Sequence, residues 1–425
     1  MRYVSTRGGA APVGLSAAIA AGLAPDGGLY VPERMPRIGA PPHSGYLAGT
    51  ALRMLEPFFE GDPLAPELPA ICAEAFAYPT PRRELRIDGA HLLELFHGPT
   101  AAFKDFGARF LAACLGRLRR EAERPLTILV ATSGDTGAAV GAAFDGMPGV
   151  RVAILYPDKR VSPRQAHQLG SFGDNVRALR VAGSFDDCQR LVKGALADTA
   201  LQEDVAMSSA NSISVGRLLP QMAYFGHASL HAEGRMNTIV PTGNLGNAVA
   251  CLWARAIGLP IGDVIFACNA NETLPEFFAG MPYRPRDAIP TIANAMDVGA
   301  PSNFERLVHL YGGEEATRRA GHAESVDDAE IRATIRRYAA SDGEVFCPHT
   351  ATGIRLFERR RLAGDRREWT VAATAHPAKF DTIVEPLVGR RVDVPEALET
   401  MLAREASAEP MAADARLFAE WLRAW

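Results

Sequence analysis

The sequence predicts an α/β protein built on parallel sheets. Three observations point there. From residue 127 onward, short apolar runs alternate with amphipathic stretches of helix length. Two of the junctions between them are loops of Gly, Ser, Thr and Asn that lead straight from a strand into a helix. Finally, 425 residues exceed what one compact core usually holds, so two or three lobes are expected.

The elements follow in order. Residues 1–85 read as an N-terminal lobe, with a helical stretch over Leu15–Leu23, the turn Pro25-Asp26-Gly27-Gly28 and proline-rich segments beyond it. Leu92–Phe96 is a short strand. Thr100–Arg120 reads as a helix, because Phe103, Phe106, Phe110, Cys114 and Leu118 recur at spacings of three and four. Strands are then expected at Thr127–Ala131, Val150–Tyr156, Ala178–Val181, Val205–Ser208, Thr238–Pro241, Val264–Cys268 and Trp369–Ala375. Helices are expected at Ser133–Phe144, Ser162–Leu169, Phe185–Thr199, Leu218–His231 and Asn247–Ile257. The last 35 residues, 391–425, read as a helical extension packed outside the sheet.

Composition removes several classes of function. Apolar residues make up 48% and charged residues 22%, too apolar for a disordered chain. Lys plus Arg number 45 against 49 Asp plus Glu, a net charge of −4. That balance carries no global attraction for nucleic acid or an anionic membrane. No apolar run approaches the roughly 20 residues of a membrane span. Six cysteines without a CxxC pair argue against disulfides or a metal site and for buried thiols. The N-terminus lacks a secretion pattern, so a cytoplasmic protein is expected.

Two junctions carry chemistry. Thr132-Ser133-Gly134-Asp135-Thr136-Gly137 follows one strand, and Thr242-Gly243-Asn244-Leu245-Gly246-Asn247 follows another. Free N–H groups at a helix start, flanked by hydroxyls or amides, suit a carboxylate or phosphate. Neither loop has the Walker or the dinucleotide spacing. The plainer alternative is a glycine turn with an ordinary cap. Asp135-Thr136-Gly137 also spells the aspartic-protease triplet, but that chemistry needs two aspartates in an all-β setting.

Lysine is scarce: of the 45 basic residues only Lys104, Lys159, Lys193 and Lys379 are lysine. Where arginine dominates so strongly, a remaining lysine suggests a need for an amine. Imine chemistry is the clearest such need, because guanidinium never becomes a free nucleophile. Lys193 reads as a solvated helix residue, while Lys159 and Lys379 lie in loops after strands. Lys104 stands apart, between Phe103 and Asp105-Phe106 near a helix start, where desolvation would lower its pKa. The alternative is a helix lysine paired to an acid.

Together these stretches resemble the fold-type II enzymes that use pyridoxal phosphate, and within them the threonine synthase family. The resemblance rests on Phe96-His97-Gly98-Pro99-Thr100-Ala101-Ala102-Phe103-Lys104-Asp105-Phe106-Gly107, the two loops above, Asn211-Ser212-Ile213, Asn294-Ala295-Met296-Asp297 and Thr374-Ala375-His376-Pro377-Ala378-Lys379-Phe380. Ser5-Thr6-Arg7-Gly8 and Gly22 to Pro32 look like the opening of the longer members. It spans about residues 1–390.

The resemblance implies two parallel-sheet α/β domains with the cofactor in the cleft: a large one from 86–124 and 236–390, and a small one from 125–235 carrying the substrate carboxylate loop. Lys104 would hold pyridoxal phosphate as a Schiff base and move protons at the substrate. Gly243, Asn244, Leu245, Gly246 and Asn247 would cradle the cofactor phosphate. Asp135 falls where many relatives place an Asn beside the cofactor 3′-oxygen, and Thr374 would meet the pyridine nitrogen. Ser133, Gly134, Thr136 and Gly137 would bind the substrate α-carboxylate. Ser209, Asn211 and Arg217 are the candidates for the substrate phosphate, with Lys159 weaker and Lys379 supporting the Thr374 loop. For Arg217 the alternative is a surface residue at a helix start.

The implied reaction is O-phospho-L-homoserine plus water to L-threonine and phosphate. Rivals are a phospho-lyase releasing 2-oxobutyrate from the same substrate, a dehydratase or cysteine-synthase-like enzyme, and a non-catalytic metabolite-binding protein on the same fold. A small-molecule substrate is the expected partner, with no nucleic acid or membrane, on a monomer or homodimer.

Overall fold

The computed structural model describes residues 1–39, 45–158 and 161–425. Thirteen strands among them form three sheets: β1 (Tyr3–Ser5), β2 (Tyr30–Pro32), β3 (Arg82–Glu84), β4 (Ala90–Glu94), β5 (Leu126–Ala131), β6 (Val150–Pro157), β7 (Val176–Ala182), β8 (Met207–Ser209), β9 (Met236–Pro241), β10 (Ile261–Cys268), β11 (His322–Ser325), β12 (Trp369–Ala373) and β13 (Glu409–Ala412). The larger sheet has the order β11-β10-β9-β12-β4-β3, and the smaller β13-β7-β6-β5-β8. All neighbours in both are parallel except β3, which runs antiparallel to β4. β1 and β2 make a separate antiparallel pair.

The strand sequences explain this layering. Leu-Thr-Ile-Leu-Val-Ala in β5 and Trp-Thr-Val-Ala-Ala in β12 are buried at every position, as strands covered on both faces must be. Successive residues feed different cores. Ile128 and Val130 enter the central core, and Leu129 and Ala131 the layer behind the small sheet. Val240 likewise enters the central core, while Ile239 enters the layer behind the large sheet. Residues of the first 85, including Ile19, Met54, Phe58 and Ile71, share that central core with Phe106, Phe110 and Trp253.

Differences from the sequence reading have local causes. The helix expected at Thr100–Arg120 begins at Lys104, because Ala101 takes a left-handed turn (φ 54°) and Ala102 bridges to Ala375. The helix expected at Leu218–His231 divides into Val215–Leu218 and Gln221–Leu230 around Pro220, whose nitrogen has no hydrogen to donate. The C-terminal stretch is not purely helical: β13 pairs with β7 at the sheet edge, burying only Met411. Helices Phe304–Tyr311, Asp328–Ser341 and Pro348–Leu362, with β11, fill the region between Cys268 and Trp369 that the alternation left unassigned. No helix among the described residues is long and apolar enough to cross a membrane. All six cysteines are buried and free.

Candidate active site

The carboxyl ends of β5, β8 and β9 and the residue after β12 line one cleft of about 230 Å³, joined by Phe103 and Lys104 from the stretch between β4 and the next helix. That is where ligands of open parallel sheets bind, and the space suits a small organic molecule. Among the described residues no group of His, Cys, Asp and Glu is arranged to hold a metal ion.

Lys104 opens the helix Lys104–Leu118 and lines this cleft. The loop before it is fixed from both sides. Asp105 accepts the Thr100 N–H at 2.9 Å and the Thr100 hydroxyl at 2.6 Å, and the Phe103 N–H donates to the Thr374 carbonyl at 2.9 Å. The Lys104 side chain is only 13% exposed, with its Nζ 5.7 Å from the centre of the Phe103 ring and 3.9 Å from Asp135 Oδ2. Burial pulls the amine down to about 8, with Asp135 opposing and Lys379 and Arg217 reinforcing the shift. An appreciable share of it is therefore a neutral nucleophile near pH 7.

Asp135 is buried and receives Lys379 Nζ at 3.0 Å and Gln165 Nε2 at 3.1 Å, both on Oδ1. Burial alone would raise its pKa. Lys379 and Lys104 outweigh that and hold the carboxyl well below the usual range. Lys379 thus does more than support the Thr374 loop.

The loop after β5 corrects part of the sequence reading. The N–H groups of Gly134 and Gly137 both donate to Thr132 Oγ1, at 3.0 and 2.9 Å, and neither glycine lines the cleft. Gly137 is needed for packing, since a Cβ there would lie 2.6–2.7 Å from Thr132, Ile154 and Leu169. Ser133 and Thr136 do face the cleft.

After β9, Leu245 takes a left-handed conformation (φ 63°) and the helix Gly246–Ala256 begins. Ala101 and Leu245 are the two non-glycine residues with positive φ among those described, and both shape this cleft. The first N–H groups of the helix lack intrahelical partners and favour an anion. The Asn244 side chain is engaged elsewhere, donating to Ser212 Oγ at 2.6 Å and accepting the Ser302 N–H at 2.5 Å. Asn247 accepts the Tyr224 hydroxyl at 2.5 Å, which leaves its buried Nδ2 without a partner.

Ser209, Asn211, Arg217 and Thr374 also line the cleft. Arg217 is 2% exposed, so it is not a surface residue. Its guanidinium donates to the Ala210 carbonyl, its Nε has no partner, and burial lowers its pKa to about 10. Two residues escaped the sequence reading. Asp105 is one. The other is buried His349, whose Nε2 accepts the Ala295 N–H at 3.1 Å; its proton therefore sits on Nδ1. Burial pushes His349 down to about 4, so it is neutral. Lys193 is exposed, at the rim of the cleft. Lys159 lies outside the described residues.

Three family models match the chain in succession, the last two overlapping: threonine synthase N terminus at residues 2–76, pyridoxal-phosphate dependent enzyme at 77–376, and threonine synthase C-terminal at 350–421. The chain belongs to the threonine synthase family. It is 37% identical over 398 residues to the threonine synthase of Buchnera aphidicola subsp. Acyrthosiphon pisum, with 92% of each chain covered. It is 38% identical over 395 residues to that of Serratia marcescens, covering 91% of this chain and 90% of the relative. The structure of pyridoxal-phosphate-bound threonine synthase from Brucella melitensis superposes with a TM-score of 0.91 at 34% identity, covering 100% of this chain and 99% of that one. The fold is that of the fold-type II enzymes, and pyridoxal phosphate is the cofactor of this threonine synthase family member.

Proposed function

We propose that the chain converts O-phospho-L-homoserine and water to L-threonine and phosphate, with Lys104 as the residue that binds the cofactor and moves protons at the substrate. The observation that carries this reading is a mostly buried amine of lowered pKa, placed in one cleft with an anion-binding helix start. The residues fit pyridoxal phosphate. Lys104 offers the amine, the start of the helix Gly246–Ala256 with the unpartnered Asn247 Nδ2 suits the phosphate, and Thr374 supplies a hydroxyl for the ring nitrogen.

When bound, the cofactor supplies an electron sink that acidifies the substrate Cα–H. Lys104, neutral in part near pH 7, accepts that proton and serves again at Cβ. Ser133 and Thr136, at the start of the helix Asp135–Phe144, hold the α-carboxylate. Arg217, with Ser209 and Asn211, binds the phosphate that leaves Cγ, since a planar guanidinium matches phosphoryl oxygens bidentately. The proton taken from Cβ is returned at Cγ, water then adds at Cβ, and reprotonation at Cα completes L-threonine. A cytoplasmic monomer or homodimer belongs to the same proposal, and the six free thiols suit a reducing compartment.

The test is to incubate the cofactor-loaded protein with O-phospho-L-homoserine and separate the products. Threonine and phosphate in equal amounts are expected. Phosphate with 2-oxobutyrate and no threonine would replace this reading with the phospho-lyase, and a protein that stays colourless with the cofactor would favour a binding module.

The cradle has its own prediction. A Cβ at Gly243 would lie 2.7 Å from Met296 Cα, and backbone yields poorly. Gly243→Ala is expected to weaken cofactor affinity by about tenfold or more, the consequence of roughly 1–3 kcal/mol of overpacking. Cofactor titration of the apoprotein measures this, and an unchanged affinity would move the phosphate elsewhere.

A further inference from the structure

We propose that Lys379 is a positioning residue for Lys104: its buried ammonium clamps Asp135 on one side and the Thr100 carbonyl on the other, so that the second carboxylate oxygen is presented to Lys104. The inference rests on the reading of Lys104 given above.

The geometry is specific. The Lys379 side chain is 0% exposed, and a buried ammonium persists only with partners. Its Nζ lies 3.0 Å from Asp135 Oδ1 and donates to the Thr100 carbonyl at 2.6 Å. These contacts join two sides of the cleft. Asp135 follows β5 of the small sheet, Thr100 precedes Lys104 after β4 of the large sheet, and Lys379 lies in the turn Pro377–Phe380 after β12. The Lys379 carbonyl also accepts the Ser162 hydroxyl at 3.1 Å, at the cap of the helix whose Gln165 donates to Asp135. Asp135 Oδ2 is left facing Lys104 Nζ at 3.9 Å.

The charges around Lys104 make the consequence readable. Asp135 is the carboxylate that opposes its desolvation, while Lys379 and Arg217 repel its ammonium form. His349 is neutral, and Asp105 is satisfied by Thr100. Without Lys379, Asp135 would turn its whole charge to Lys104 and favour the protonated amine. Without Asp135, two cations would act on Lys104 unopposed. With neither, the two effects offset.

The experiment uses the cofactor-loaded full chain. Wild type is first checked for a visible band and, after borohydride reduction, for label at Lys104. The pH midpoint of that band is then measured in Lys379→Met, Asp135→Asn and the double variant, with thermal melts of each. The midpoint is expected to rise by about one pH unit or more in Lys379→Met, to fall by a similar amount in Asp135→Asn, and to return toward wild type in the double variant. Melting temperature should drop in each single variant and recover in the double, because only the singles remove one partner of the close Lys379–Asp135 pair and keep the other. If Lys379→Met does not fold, the comparison of Asp135→Asn with the double variant decides; a double variant that titrates like Asp135→Asn overturns the proposal. A labelled Lys104 with an unmoved midpoint in Lys379→Met overturns it alone and makes Lys379 a structural residue only. Label on another side chain, or no band in wild type, overturns both this inference and the reading beneath it.

Discussion

Lys104→Ala is expected to lower turnover by at least about 10⁴-fold, because in the proposed role it removes both a covalent attachment point and a proton carrier. Among the described residues no other lysine is placed to replace it. Lys379 is fully buried and held by Asp135 and Thr100, and Lys193 is exposed at the rim. Lys104→Arg should fail nearly as completely, since guanidinium keeps the charge and cannot act as the nucleophile. The fold should tolerate both changes, because the side chain stands at a helix start and its close charged contact is Asp135 at 3.9 Å. The measurements are turnover with O-phospho-L-homoserine, the visible spectrum and the melting temperature. A Lys104→Ala protein that still takes up borohydride label on Lys379 would transfer the catalytic role there.

The position of Lys104 was legible because two local signals coincide: lysine is rare in the chain, and this one is flanked by aromatic rings at a helix start. The alternation of strands and helices was equally legible, since parallel strands covered on both faces read as continuous apolar runs. Hydrogen-bond direction was not. Glycines in a strand–helix loop announce a close backbone approach, but only the fold reveals that the Gly134 and Gly137 N–H groups turn inward to Thr132 rather than toward a ligand. Asn244 is a similar case, because Ser212 and Ser302 arrive from other parts of the chain. The Lys379–Asp135 pair joins loops from two sheets, so neither residue's neighbours in sequence betray it. His349 sits in no motif at all. β13 was hidden for another reason: an edge strand that buries only Met411 needs no apolar run, and Pro410 argues against a strand.

Arg217→Met is expected to separate function from stability. Arg217 is buried, forms no ion pair among the described residues, and keeps an unpartnered Nε beside the cleft. A buried cation without a close ion pair is costly, and burial lowers its pKa to about 10 although Asp105 opposes the shift. Such a residue is well explained if an anionic substrate completes its surroundings during the reaction. Methionine fills similar volume without charge. The variant should therefore melt no lower than wild type in the absence of substrate, while its kcat/KM for O-phospho-L-homoserine falls by roughly 10²–10³-fold, the usual loss when a charge-stabilising donor is removed. Thermal melts and initial rates at low substrate concentration measure the two effects on the same preparation. A variant with unchanged kcat/KM would remove Arg217 from the phosphate site, and a large drop in melting temperature with kcat/KM intact would make its hydrogen bond to Ala210 the reason it is there.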